Sequence, residues 1–401
     1  MLSRDAGRLA AIAMTTLALA YLVVKSAFSH DDPSEFPMFW GVGRAMAEGI
    51  SPYSPRTPLL IGTLLSIEDP APWFYPPQWF VILRPIGLLP MDRAIEVWRA
   101  INALLLAIAA MALSRALPRA GIMLPEWAMA LFLLFATFIQ ATPATLAMGQ
   151  SSLLIFAGYC FYARGLILSE RATLALGVFL LLLKPHFGVA AAMALVLVPG
   201  CGGALFIAVL ATGAAALPQF VLHGFAPTIV DFIGNIRAYG GQAPNAPIYM
   251  NGLSQILSRF LHVGASGIVL LPLCVAASMG AALALRARVD GRGAIAFAVI
   301  ALAMFFVPTH PYDIIAFAPL AILAMAFDWP VRAATWLSMA ICLRPRLVWD
   351  FLSLPALRPG GDTTPQNIPL TALILTVACT LALIAAALVL LRPPVSGARA
   401  R

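Results

Sequence analysis

Asp31, Asp32 and Glu35 follow directly on the first long apolar run of the chain and precede an aromatic stretch that includes Phe36, Phe39 and Trp40. A carboxylate within about 3 Å of a hydroxyl can take its proton as a general base. Carboxylates in exposed loops are usually just solvated, but three at the mouth of one helix, ahead of aromatics, favour a chemical role. Lys184 closes a later apolar run and is followed by Pro185 and His186. An ammonium at membrane depth is costly and reads as functional by default. The competing reading is a lysine that snorkels and marks a helix end.

The elements that position these groups are set by composition. Of 401 residues, 61% are hydrophobic and 10% charged, against roughly 45–50% and 25% in soluble domains. That excludes a soluble enzyme, a disordered tail and a nucleic-acid reader. The net charge of +8 fits basic residues flanking cytoplasmic helix ends. Cys160, Cys201, Cys274, Cys342 and Cys379 stand singly in or beside apolar runs, without metal-ligand or redox spacing. They read as packing residues, and no bound metal or cofactor is expected, although Asp31 and Asp32 can hold a divalent ion weakly.

A bilayer core of about 30 Å needs about 20 apolar residues per helix, and the mean hydropathy is +0.91. Apolar runs at 9–28, 92–114, 125–145, 150–168, 172–184, 186–199, 203–222, 265–285, 294–308, 314–327, 333–351 and 369–391 predict an all-α, polytopic membrane protein with about twelve transmembrane helices. The whole chain, 1–401, reads as one integral membrane domain. Arginines crowd the short connections, which places both termini in the cytoplasm. Pro185 points to two half-helices or a broken hairpin at 172–199. The long outer loop, 29–91, carries a predicted interfacial helix from Phe36 to Glu48 and an eleven-residue stretch, Trp79 to Leu89, laid on the membrane surface. A second outer loop covers 223–263.

Five patches appear in order: SEFPMFWGVGRAMAEGISPY at 34–53, FYPPQWFVILRPIGLLP at 74–90, MGQSSLL at 148–154, LLKPHFG at 182–188 and VPTHPYDIIAFAPLA at 307–321. With the predicted topology, they resemble glycosyltransferase family 87, multispanning enzymes of the GT-C class that use polyprenyl-phosphate mannose. Two departures stand out. Glu35 occupies the place of the usual Asp in the family's D-[LF]-x-x-[YFW] pattern, and His310-Pro-Tyr-Asp313 stands where some members carry a His-rich turn.

The resemblance implies a GT-C-like fold and inverting transfer of a hexose, mannose in that family, from a polyprenyl-phosphate donor to a lipid-linked or glycan acceptor. The reaction would occur on the outer face of the cell inner membrane. It implies Glu35 as base, with Asp32 and then Asp31 as substitutes. Lys184 would meet the lipid phosphate with help from His186. Arg237 and Arg259 can do the same or merely anchor the interface. Gln150 can offer its amide to a sugar hydroxyl or cap its helix, and Tyr75 can stack on a sugar or only shape the loop. Asn251, His310 and Asp313 complete the substrate-binding candidates, and Asp313 can also be a plain helix cap. The alternative is a multispanning transporter of a small molecule or lipid, which would show repeated halves and mid-helix charges. A non-catalytic scaffold is the third reading.

Overall fold

The structure, a computed structural model, describes residues 4–28, 34–68, 70–242, 245–264, 267–345, 348 and 368–392. Asp31 and Asp32 therefore lie outside the described residues. Among the described residues the regular structure is helical, and extended backbone pairs only at an isolated bridge between Asn251 and Thr309. In chain order the helices are α1 (Arg4–Phe28), α2 (Phe36–Ala47), α3 (Arg56–Leu65), α4 (Phe80–Gly87), α5 (Met91–Arg119), α6 (Glu126–Phe138), α7 (Ala141–Met148), α8 (Ser152–Leu168) and α9 (Arg171–Leu182). They continue with α10 (Pro185–Val196), α11 (Gly202–His223), α12 (Phe225–Gly240), α13 (Leu253–Phe260), α14 (Gly267–Leu285), α15 (Gly291–Phe306), α16 (Pro319–Leu323), α17 (Trp329–Leu343) and α18 (Ile368–Leu391).

The expectation of about twelve spans is not met. Four described helices are long and apolar enough to cross a membrane: Asp5–Ser26 in α1, Met91–Arg119, Gly202–His223 and Leu370–Leu391 in α18. The pair α6 and α7, bent by 50° at its break, makes up to five. Ser152–Leu168, Arg171–Leu182, Pro185–Val196, Val269–Leu285, Gly291–Phe306 and Pro311–Ala326 are apolar but shorter. Proline accounts for part of the shortfall. Pro185 divides one run, and Pro311 opens a 3-10 turn from Pro311 to Phe317 rather than a straight helix. Burial accounts for more. α8 and α15 are covered almost all round by protein, as expected of a helix that is hydrophobic on every face. In α11, by contrast, only 22% of the most apolar window is buried. Apolar character serves a protein core in α8 and α15 and an outer surface in α11.

The centre of the molecule is α8, which packs on α5, α9 and the 311–317 turn. Helices α9, α10, α14 and α15 extend the core on one side, and α17 and α18 pair beside α15. The expected helix at 36–48 is present as α2, and the Trp79–Leu89 stretch holds α4. These two cross at Gly43 and Gly87, where a Cβ on Gly87 would lie 2.0 Å from the Gly43 carbonyl carbon. Backbones meet there because neither residue has a side chain. α4 buries Phe80, Leu83 and Ile86 and leaves Val81 exposed, and Leu88 just after the helix is exposed too. The 223–263 segment contains α12 and α13.

Candidate active site

The chain breaks between α9 and α10 at Leu183 and Lys184. Pro185 has no N–H and disfavours helical geometry in the residue before it, and Lys184 is accordingly extended, with φ −121° and ψ 93°. The break frees carbonyls in the last turn of α9. Two side chains from the Tyr75-Pro-Pro-Gln-Trp79 segment take them up: Gln78 Nε2 donates to the Leu182 carbonyl at 2.8 Å, and Trp79 Nε1 donates to the Leu183 carbonyl at 2.8 Å.

Lys184 is buried, its side chain 4% exposed, and its Nζ donates to Asp313 Oδ1 at 2.7 Å. Ser152 Oγ, at the start of α8, donates to the same oxygen at 2.5 Å. Three separate breaks in helical structure thus meet at one carboxylate. A buried ammonium and a buried carboxylate each carry a large desolvation cost, which their pairing and further hydrogen bonds offset. Tyr75 and Tyr312 face the ammonium, with ring centroids 6.0 and 5.8 Å from Nζ.

Glu35 sits just before α2, and its backbone N–H donates to the Met148 carbonyl at 3.2 Å. Its carboxyl hydrogen-bonds with the Gln150 side chain and lies within electrostatic range of Lys184 and Asp313. Burial holds this carboxyl above the usual carboxylate range. The Lys184 charge opposes that shift, Asp313 adds to it, and the Gln150 amide draws it back. The carbonyls around Met148 are held from α5: Arg99 donates to those of Leu146 and Ala147 at 3.0 and 3.2 Å, and Trp98 Nε1 to that of Gly149 at 2.7 Å. A guanidinium is well matched to a helix C-terminus.

Gly149 ends α7 with φ +73°, and a Cβ there would fall 2.4 Å from Phe36 Cβ. Gly149→Ala therefore meets both backbone strain and a collision with the residue next to Glu35. We expect it to cost about 1–3 kcal/mol and to reduce activity with Glu35 itself unchanged. Thermal unfolding of the purified variant in detergent checks this, and an unaltered midpoint would show that the turn has room to adjust.

The remaining candidates divide. Tyr75, Gln150, His186, His310 and Asp313 join Glu35 and Lys184 in one cluster. His186 is in electrostatic range of Lys184, Asp313 and His310, and the His310 ring stacks on Tyr312 at 5.1 Å. Burial keeps the His310 imidazole below its ordinary value. Asn251 is buried and pairs with Thr309, the residue before His310: its backbone N–H bonds the Thr309 carbonyl at 2.8 Å and its Nδ2 bonds Thr309 Oγ1 at 3.3 Å. Arg237 is exposed on α12 and Arg259 is half-buried on α13, and no described contact ties either to the cluster. Among the described residues no three His, Cys, Asp or Glu side chains form a metal-holding group.

Ser152, Tyr312 and Tyr239 are not among the candidates that residue type and spacing single out. Tyr239 on α12 stacks on Phe74 at 3.4 Å and lies in electrostatic range of Tyr75, Glu35 and Lys184. Asp313, expected among the substrate-binding residues or as a plain helix cap, is the counter-charge of Lys184. One signal was available: a buried lysine needs a counter-charge, and Asp313 is the only acid between Asp290 and Asp328.

Fold and cluster together define a helical membrane protein with an ionisable site built at its helix breaks. The model of glycosyltransferase family 87 matches residues 73–309, more than half of the chain, and the chain belongs to that family. It is a membrane glycosyltransferase of a lipid-linked sugar system. No curated protein sequence matches it. The matched segment contains Tyr75, Gln150, Lys184, His186 and Asn251, while Glu35, His310 and Asp313 lie outside it.

Proposed function

We propose that this chain transfers a hexose, mannose by family resemblance, from a polyprenyl-phosphate donor to a glycolipid or glycan hydroxyl on the outer face of the inner membrane. The observation that carries the reading is a half-buried carboxyl, Glu35, beside the buried Lys184–Asp313 pair and two tyrosine rings. Glu35 takes the acceptor proton as the acceptor oxygen attacks the anomeric carbon. The bond from that carbon to the phosphate oxygen breaks, and polyprenyl phosphate leaves with the electron pair. Attack from the face opposite the phosphate turns a β-linked donor into an α-linked product. A carboxyl raised by burial is a stronger base than one free in water, which suits this role at neutral pH.

An ammonium has three N–H donors, and Asp313 engages one at 2.7 Å. The others are available to the phosphate, where negative charge develops in the transition state. Asp32 or Asp31 would be the base only if the chain brought one of them to the position Glu35 holds. Arg237 and Arg259 fit the interfacial-anchor role better than phosphate contact, since Arg237 is exposed, Arg259 is half-buried and no described contact joins either to the cluster.

The test is product formation by the purified protein in nanodiscs, supplied with polyprenyl-phosphate hexoses and a mixture of candidate acceptors. Mannosylated, α-linked product is expected. In right-side-out vesicles a water-soluble acceptor added outside should be used without permeabilisation. Donor translocation without any glycosidic product would instead make the chain a transporter.

A further inference from the structure

Gln78 and Trp79 are buried, 5% and 0% exposed, and belong to a segment far from Lys184 in sequence. Their side-chain N–H groups nevertheless end on the two carbonyls just before it, those of Leu182 and Leu183. Those carbonyls are free because the helix cannot continue through Pro185. In an uninterrupted helix the N–H groups of His186 and Phe187 would serve them. Instead, Phe187 N–H bonds the carbonyl of Lys184 at 2.9 Å. The backbone on one side of Lys184 is therefore held by Gln78 and Trp79, and on the other by the first turn of α10. The same Tyr-Pro-Pro-Gln-Trp segment also puts the Tyr75 ring 6.0 Å from the Lys184 ammonium.

We propose that Gln78 and Trp79 are positioning residues for Lys184, fixing the backbone at the helix break so that its ammonium meets the phosphate of the lipid-linked substrate. The inference rests on the reading of Lys184 as a phosphate contact. Neither residue touches the substrate. Each acts through the carbonyl it holds, because a shift of the break by a fraction of an ångström moves Nζ relative to both Asp313 and the phosphate. Satisfying the same carbonyls by water would leave the fold standing but the lysine less well placed.

The experiment compares two short probes of the substrate, farnesyl phosphate and farnesol, binding to the full-length protein in nanodiscs. Trp79→Phe keeps a ring and loses the N–H. Gln78→Met keeps the length and loses the donor, and provides a second variant should the buried tryptophan prove necessary for folding. Each is expected to weaken farnesyl phosphate binding about tenfold, the scale of one hydrogen bond of roughly 1.4 kcal/mol, and to leave farnesol binding unchanged. A merely structural role would weaken both probes together. Wild-type affinity for farnesyl phosphate in both variants, with Lys184→Met impaired, overturns the positioning role and leaves the phosphate contact standing. Wild-type affinity in Lys184→Met overturns both.

Discussion

Glu35→Gln is expected to lose transfer by about 10² to 10⁴-fold, the usual contribution of a general base, while donor binding is retained. The substitution keeps the size of the side chain and its ability to hydrogen-bond Gln150, and removes only basicity. Stability provides an independent control. The carboxyl is raised by burial, so the folded state holds its proton more tightly than the unfolded chain does. Stability contributed by that proton is present at low pH and is lost as pH rises through the folded value. Above that value the wild type carries a half-buried charge that Gln does not, so the variant should unfold no earlier than the wild type at neutral pH. Wild-type kcat/KM should fall as pH is lowered through the Glu35 value, with the acid limb shifted upward from that of an ordinary glutamate because burial raises this carboxyl. The measurements are glycolipid formation across pH and thermal unfolding of the same preparations. An active Glu35→Gln with an inactive Asp32→Asn would move the base to Asp32. Activity in both would remove the loop from the chemistry.

Breaking the Lys184–Asp313 pair should produce the largest loss of stability. Each partner is almost fully enclosed, with side chains 4% and 5% exposed. Removing one leaves the other as an uncompensated buried charge, which typically costs about 3–5 kcal/mol. Lys184→Met and Asp313→Leu should each lower the unfolding midpoint strongly. The double variant, which replaces a buried pair by apolar side chains, should recover much of that loss, since such replacements are often neutral or stabilising. Transfer should stay low in Lys184→Met and in the double variant alike, because the ammonium that meets the phosphate is gone from both. Recovery of stability without recovery of activity separates the two roles of the pair. Single variants as stable as the wild type would mean that water reaches the pair and that it is not a buried one.

Several parts of the site were legible in residue order. A lysine before a proline at the end of an apolar run announces a helix break, and the break is where the sequence places it, between α9 and α10. A carboxylate ahead of an aromatic helix marked Glu35, and the helix is α2. Tyr75-Pro-Pro marked a turn, but its consequence for Lys184 was hidden. Trp79 and Leu183 are 104 positions apart, and Lys184 and Asp313 are 129 apart. Local spacing carries no information about which freed carbonyl a distant indole will reach.

The sequence by itself determined the solvent class of this protein, its helical character and the residue types at its breaks. Long continuous apolar runs with few charges favour helices, which satisfy their backbone within one segment in an apolar surrounding, and proline forbids their continuation at particular positions. Only the tertiary structure decided which apolar helices face outward and which are core. α8 and α11 are both strongly apolar, yet α8 is enclosed by α5, α9 and the 311–317 turn while most of α11 is open. Hydrophobicity drives a helix out of water with no preference between lipid and protein as the medium that receives it. The choice is made by neighbours, and so is the partnership of Lys184 with Asp313, because a buried charge is tolerated only where the fold brings its counter-charge to it.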